Sequence, residues 1–251
     1  MASPGRHDAR VEYGNGTDTV RLVADGRRGV DCLMALYEPL CYDLLCEQLP
    51  DGARAADVGC YKGGSACILA RGMARRGKKC VIACHDLFQP YQPFDSGPLI
   101  DIEAEFDANT ASWVTGPGVT VVKIKGDSKR THAVHPDASL DYCFIDGDHS
   151  YEGALADMRA FWPKLKSEGW MVIQDCNDEV ARALDTAVQE LRIDDMPCLY
   201  LRPPQGQDVV VFTRQKQALD TLSSNLLRAT QAVQLYDAGA GTCAYTLDAP
   251  E

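Results

Sequence analysis

Nine consecutive residues, Asp57-Val58-Gly59-Cys60-Tyr61-Lys62-Gly63-Gly64-Ser65, combine backbone freedom with polar side chains. They follow a short apolar run (55–58) and precede an amphipathic stretch (65–76), so they read as the turn from a strand into a helix. Gly59 lets a ligand approach the backbone closely, Gly63 and Gly64 leave the helix start uncovered, and Ser65 can cap it. Asp57, at the end of the strand, offers a carboxylate to an ammonium group. The spacing is neither G-x-G-x-x-G nor G-x-x-x-x-G-K-[ST], which makes pyrophosphate and nucleoside triphosphates poor fits. Two more acids close later apolar runs. Asp86 ends Cys84-His85-Asp86, where an acid can accept hydrogen bonds from a ribose diol. Asp127 and Ser128 follow Gly126, well placed to meet an adenine amino group. At three successive strand ends, these groups describe a pocket for an adenosyl group.

The elements that must position them alternate regularly. Apolar runs at 55–58, 80–85, 119–124, 140–145 and 170–173 are separated by amphipathic stretches at 65–76, 101–114, 129–135 and 151–166, and 177–191 follows the last run. Val180, Leu184, Ala187, Val188 and Leu191 form one face of that last stretch, with Asn177 as its cap. Strand–helix alternation predicts parallel strands with helices on both faces, joined by right-handed crossovers. The end differs: 198–201 and 209–212 read as strands joined by Pro203-Pro204-Gln205-Gly206, too short for a helix. The predicted fold is α/β: a Rossmann-like, doubly wound, mostly parallel seven-stranded sheet ending in an antiparallel hairpin strand, with N-terminal and C-terminal helical additions.

The predicted division is 1–29 as an arm or lid, 30–214 as the catalytic domain, and 215–251 as a terminal helix and tail. Leu33, Leu36, Leu40 and Leu44 recur at helical spacing from Val30 onward, with Pro39 starting a second helix. In the terminal helix, Leu219, Leu222, Leu226, Ala229, Val233 and Tyr236 form a stripe that packs on its own domain or serves as a dimer contact.

The 251 residues carry a net charge of −11, which disfavours nucleic acid as the main partner. No apolar run reaches the length of a membrane span, and the first residues lack the apolar stretch of a signal peptide, so the expected location is cytoplasmic. The eleven cysteines include no C-x-x-C pair, and most lie in apolar stretches, as reduced buried thiols do.

The remaining motif is Phe144-Ile145-Asp146-Gly147-Asp148-His149-Ser150-Tyr151-Glu152, followed by Gly169-Trp170-Met171-Val172-Ile173-Gln174-Asp175-Cys176. With these residues the chain resembles a class I S-adenosylmethionine-dependent methyltransferase over roughly 30–214. Within that class, the two motifs resemble the small-molecule O-methyltransferases of natural-product pathways, including sugar and macrolide methyltransferases. The resemblance implies that Asp57, Gly59, Tyr61, Lys62, Gly63, Gly64 and Ser65 line the methionine part of S-adenosylmethionine. Asp86 would hold the ribose, Asp127 with Ser128 the adenine edge, and Asp146 would border the same pocket. It further implies His149 as the base that takes the acceptor's proton, beside Asp146. Asp146 and Asp175 would bind a divalent metal in relatives that use one, and oxygen ligands favour Mg²⁺.

The chain departs from that pattern around Asp175. Metal-dependent relatives often carry an Asn after the strand-end acid or an acid before it, whereas this chain has Cys176 and Gln174. Gln174 could supply a carbonyl oxygen, Asn177 or Asp178 could substitute, and the motif leaves metal use open. Asp148 also reads as an acid at a helix start, and His85 as a strand-end residue. His132 and His135 carry no signal. The segment 87–100, with Pro90, Tyr91, Pro93, Phe94 and Pro98, reads as a loop closing over the acceptor or as a rigid surface loop. Trp113 and Trp162 read as core. The expected partner is a small-molecule hydroxyl acceptor, with a homo-oligomer formed through the terminal helix or the N-terminal arm. Two other functions fit the fold: a nicotinamide-dependent oxidoreductase, against which the glycine spacing and the hairpin speak, and a non-catalytic partner subunit that keeps the pocket.

Overall fold

A computed structural model describes residues 9–13, 19–24, 30–34, 38–92, 98–112, 114, 118–176, 178–193, 196–201, 208–237 and 243–246. Along the chain, β1 (Ala9–Tyr13), β2 (Thr19–Ala24) and β3 (Val30–Leu33) precede α1 (Glu38–Gln48). The main alternation follows as β4 (Ala53–Val58), α2 (Gly64–Arg75), β5 (Cys80–Asp86), α3 (Ile102–Thr110), β6 (Val119–Lys125) and the short α4 (Ser128–Thr131). Next come β7 (Leu140–Ile145), α5 (Tyr151–Phe161), β8 (Leu165–Ile173) and α6 (Asp178–Leu191). The hairpin β9 (Cys198–Leu201) and β10 (Val209–Phe212), then α7 (Lys216–Asp237) and β11 (Cys243–Thr246), complete the order.

The seven-stranded sheet runs β6-β5-β4-β7-β8-β10-β9. The first five pair in parallel, and β10 lies antiparallel to both β8 and β9. This is the expected doubly wound sheet with an antiparallel end. The order reverses at β4, whose neighbours are β5 and β7, and a crevice opens at the carboxyl ends of the strands there.

Two apolar layers hold the helices on the sheet. One joins α1, α2, α3 and α7 to one face through Leu45, Ile68, Phe106, Leu222 and Phe144. The other joins α5 and α6 through Leu155, Met158, Phe161, Ala183 and Leu184. Each Leu, Ile or Phe buried in these layers contributes about 1.5–3 kcal/mol. Leu219, Leu222 and Leu226 of α7 are buried within the first layer, so this part of the stripe packs on its own chain. Of the ten cysteines whose side chains are described, eight are buried.

The chain ends differ from the sequence-based expectation. The N-terminal addition holds the expected helix, α1, but also strands: β1, β2 and β3 pair antiparallel, and the C-terminal β11 joins them at β1. Leu33, the first member of the apolar spacing that suggests a helix, ends β3 instead; it is exposed, while Cys32 and, just past the strand, Met34 are buried. That is the two-residue alternation of a strand, over too few residues to outweigh the helical pattern that follows. Pro39 does lie in the first turn of a helix, α1, where its missing N–H costs nothing. The stretch 151–166 divides at Pro163: α5 stops at Phe161, a single 3-10 turn spans Trp162–Lys164, and β8 begins at Leu165, before the predicted 170. Trp162 is half-buried against the second apolar layer. Trp113, Pro93, Phe94, Asn177 and the 203–206 turn lie outside the described residues, as do the side chains of Ala229, Val233 and Tyr236. Among the described residues no helix is long and apolar enough to cross a membrane.

Candidate active site

The turn after β4 is shaped by close backbone approach. Gly59 has φ +80, its N–H donates to the His85 carbonyl at 2.8 Å, and a Cβ there would run into the Asp146 carbonyl. Only glycine meets all three conditions. Gly63, at φ +83, is the N-cap of α2 and makes no side-chain cap bond. Ser65 is therefore not the cap. It lies inside α2, and its hydroxyl donates to Asp57 Oδ2 at 2.7 Å. Asp57 is 2% exposed, and its Oδ1 has no partner. Burial pushes its pKa up to about 7, partly offset by the Ser65 hydrogen bond. A buried carboxylate with an orphaned oxygen is costly unless it is protonated or positive charge lies nearby.

Asp86 closes β5 with both oxygens held by backbone amides. Oδ2 accepts from the Tyr61 N–H at 2.9 Å and Oδ1 from the Phe88 N–H at 2.8 Å. Tyr61 (φ +47) and Phe88 (φ +48) both occupy the left-handed region, a strain that orients their amides toward the carboxylate. Each oxygen keeps a lone pair, so the pair is set to receive a ribose diol. Asp127 is the N-cap of α4: its side chain accepts from the Lys129 N–H at 3.0 Å and is exposed.

A cavity of about 680 Å³ opens along these strand ends. Of the predicted cofactor residues, Gly59, Tyr61, Gly64, Ser65, Asp86, Asp127, Ser128 and Asp146 line it. Asp57, Lys62 and Gly63 do not line it. Asp57 stands behind Ser65, Lys62 places its ammonium 5.3 Å from the Tyr61 ring centre, and Gly63 shapes the helix start. A Cβ on Gly64 would collide with Cys32, so glycine there lets β3 pack on α2.

The predicted catalytic residues meet on the cavity wall. His149 Nε2 lies 3.0 Å from Asp146 Oδ1, and His149 Nδ1 lies 3.6 Å from Asp175 Oδ2. Asp146 follows β7 and Asp175 follows β8, so adjacent parallel strands bring the two acids together. Asp175 sits at φ +52, another strained position at a strand end. Burial raises the Asp146 pKa to about 7, against the His149 hydrogen bond, while Asp175 adds to the rise. The hydrogen bond to Asp146 raises the His149 pKa, opposed by burial and helped by the charges of Asp146 and Asp175. Asp146, His149 and Asp175 can each turn a ligand atom to within 4.8 Å of the others, so this O, N, O set suits a divalent cation.

Gln174 does not join that set. It is 2% exposed, its Nε2 donates to the Leu33 carbonyl at 3.1 Å, and its Oε1 accepts from the Tyr42 hydroxyl at 3.4 Å. These bonds draw Gln174 inward just past the end of β8, and His149 completes the set with Asp146 and Asp175 instead. Asp148 is exposed and accepts from the Ser150 N–H at 3.0 Å, next to the Ser150 cap of α5. His85 is buried and also lines the cavity, with Nε2 2.8 Å from His135 Nε2 and a pKa lowered to about 3 by burial and the neighbouring histidines.

Three groups of lining residues have weaker signals in the sequence. Cys32 and Leu33 of β3, with Met34 just after it, come from the stretch that reads as helical. Leu87 and Tyr91 line the cavity from the loop that reads as an acceptor cover or a rigid surface loop, and Tyr91 meets the Tyr61 ring edge-on at 5.7 Å. Asp157 reaches the cavity from α5 and is 2% exposed. Its one signal is an acid set between Leu155 and Met158 on a face that must be buried.

Residues 56–176 match a family model described as a methyltransferase domain. Among solved structures, the O-methyltransferase NovP aligns at TM-score 0.56 with 16% identity, over 73% of this chain and 81% of that one. MnmC2 from Aquifex aeolicus aligns at 0.54 with 13% identity, over 88% and 77%. SMU.1697c from Streptococcus mutans, in complex with S-adenosylhomocysteine, aligns at 0.51 with 12% identity, over 69% and 95%. Among the curated proteins none matches. Residues 56–176 thus carry the match to a methyltransferase domain, and the chain shares the fold of these solved structures.

Proposed function

We propose that the protein transfers the methyl group of S-adenosylmethionine to a hydroxyl of a small molecule, a secondary metabolite or sugar, with His149 as the proton acceptor. The observation that carries this reading is the Asp146–His149–Asp175 cluster on the wall of the methyl-donor cavity. Methyl transfer is an in-line displacement in which the acceptor oxygen must be aligned and relieved of its proton. Asp146 accepts the Nε2 proton of His149 and fixes the ring. Nδ1, 3.6 Å from Asp175, lies beyond hydrogen-bonding distance and is the nitrogen left to take the acceptor's proton. Asp175 then stabilises the imidazolium that forms. Ser65, with Asp57 behind it, and Asp86 hold the donor, while Leu87 and Tyr91 add apolar lining to the same cavity.

The same three residues would hold Mg²⁺ if the enzyme uses one, and the ion would orient the acceptor oxygen and lower its pKa. His149 cannot serve as base and metal ligand through the same nitrogen, so the two roles separate experimentally. Radiolabelled S-adenosylmethionine is incubated with a panel of hydroxylated small molecules, with and without EDTA and with His149→Ala. Methylation of a hydroxyl compound that requires His149 supports the reading. Transfer only to amines, or none to any acceptor, overturns it, and full activity after exhaustive chelation removes the metal.

A further inference from the structure

We propose that Asp157 is a specificity-determining residue: it makes Ser128 a one-way hydrogen-bond acceptor for the exocyclic amine of the donor's adenine. The proposal rests on S-adenosylmethionine occupying the strand-end cavity, and it assigns a task to a buried acid that the methyl-transfer chemistry leaves unused.

Asp157 belongs to the buried face of α5 and is 2% exposed, yet it lines the cavity together with Ser128. Ser128 Oγ lies 2.6 Å from Asp157 Oδ1. Burial raises the Asp157 pKa to about 6, against the Ser128 hydrogen bond and the charge of Lys129, so at pH 8 the group is a carboxylate. A carboxylate has no hydrogen to give, so the proton in this short contact is the serine's. A hydroxyl has one donor and two acceptor lone pairs. With its donor committed to Asp157, Ser128 presents only lone pairs to the cavity.

An amine at that point finds an acceptor, whereas a carbonyl oxygen faces lone pairs and leaves a buried group unpaired. Adenine carries an amine at C6 and hypoxanthine carries a carbonyl, so the pair reads the difference between them. Asp127, the acid expected to do this from the sequence, is exposed and already caps α4. Gly147 completes the arrangement: a Cβ there would sit 2.8 Å from Asp157 Oδ2, so glycine lets the chain after β7 pass over the carboxylate.

The test is calorimetric titration of the full chain at pH 8 with S-adenosylhomocysteine and its 6-oxo counterpart, S-inosylhomocysteine. It uses the wild type, Ser128→Ala, Asp157→Ala and the double variant, with melting temperatures recorded for each. The wild type is expected to prefer the adenosyl ligand by about 10–100-fold, and each single variant to lose about tenfold of that preference. The double variant should lose no more than either single one, because both act through the same oxygen. Equal weakening of both ligands, or an unchanged preference in Ser128→Ala, overturns the proposal. If Asp157→Ala fails to fold, the half-buried Ser128→Ala decides alone. A wild type that takes up neither ligand would overturn the donor assignment itself, and the proposal with it.

Discussion

His149 Nε2 stands 3.0 Å from Asp146 Oδ1, and this contact makes the imidazole a stronger base than a free histidine. The rate of methyl transfer should rise with pH as His149 loses its proton, with a midpoint above the ordinary value of 6.5. His149→Ala should lower kcat by ~10²–10⁴ and leave donor affinity intact. A kcat profile between pH 5.5 and 9 checks this: a limb at or below 6.5, or a wild-type rate in the variant, counts against His149 as base.

Asp57 couples the cofactor site to stability. Its folded-state pKa, about 7, exceeds the reference value of 3.8, so between those values the folded protein binds the proton more tightly than the unfolded chain does. The stability Asp57 contributes is therefore full below pH ~4 and declines as pH rises to about 7, by an order of a few kcal/mol. Asp57→Asn should flatten that decline and weaken S-adenosylhomocysteine binding. Melting temperatures from pH 5 to 8, with and without the ligand, measure both effects.

At Gly59, any side chain meets a left-handed backbone and the Asp146 carbonyl together. Gly59→Ala should destabilise the protein by about 1–3 kcal/mol from the backbone alone, and more from the collision. Cofactor binding should be lost with it, since the displaced strand end carries Asp146. Urea unfolding and ligand titration of the variant test this, and wild-type affinity would refute it.

Gln174 is a structural residue in this arrangement. Gln174→Ala removes its bonds to the Leu33 carbonyl and the Tyr42 hydroxyl, both buried. The expected cost is about 1–3 kcal/mol of stability, with affinity for Mg²⁺ unaltered. A fall in Mg²⁺ affinity without loss of stability would return Gln174 to the metal set.

Much of the fold is legible because its signals are local. The run at 140–145 and the hairpin strands at 198–201 and 209–212 stand where the apolar patterns place them. The same patterns mislead where segments are short: Val30–Leu33 offers only four residues, and its strand partners lie elsewhere in the chain. The small sheet is the extreme case, since β1 pairs with β11 from the far end of the sequence. No periodicity within a segment can report a partner so distant.

The sequence by itself determined that acids would stand at successive strand ends beside a glycine turn, because strand periodicity and turn chemistry are properties of neighbouring residues. The tertiary structure alone decided which of those groups reach the cavity. Asp57 lies behind Ser65, Gln174 is drawn inward by Leu33 and Tyr42, and His149 completes the cluster with Asp146 and Asp175. Asp157 turns toward Ser128 from a helix face that otherwise reads as core. The physical reason is that a side chain's direction is settled by the partners it packs and bonds with, and here those partners come from segments up to 141 residues away.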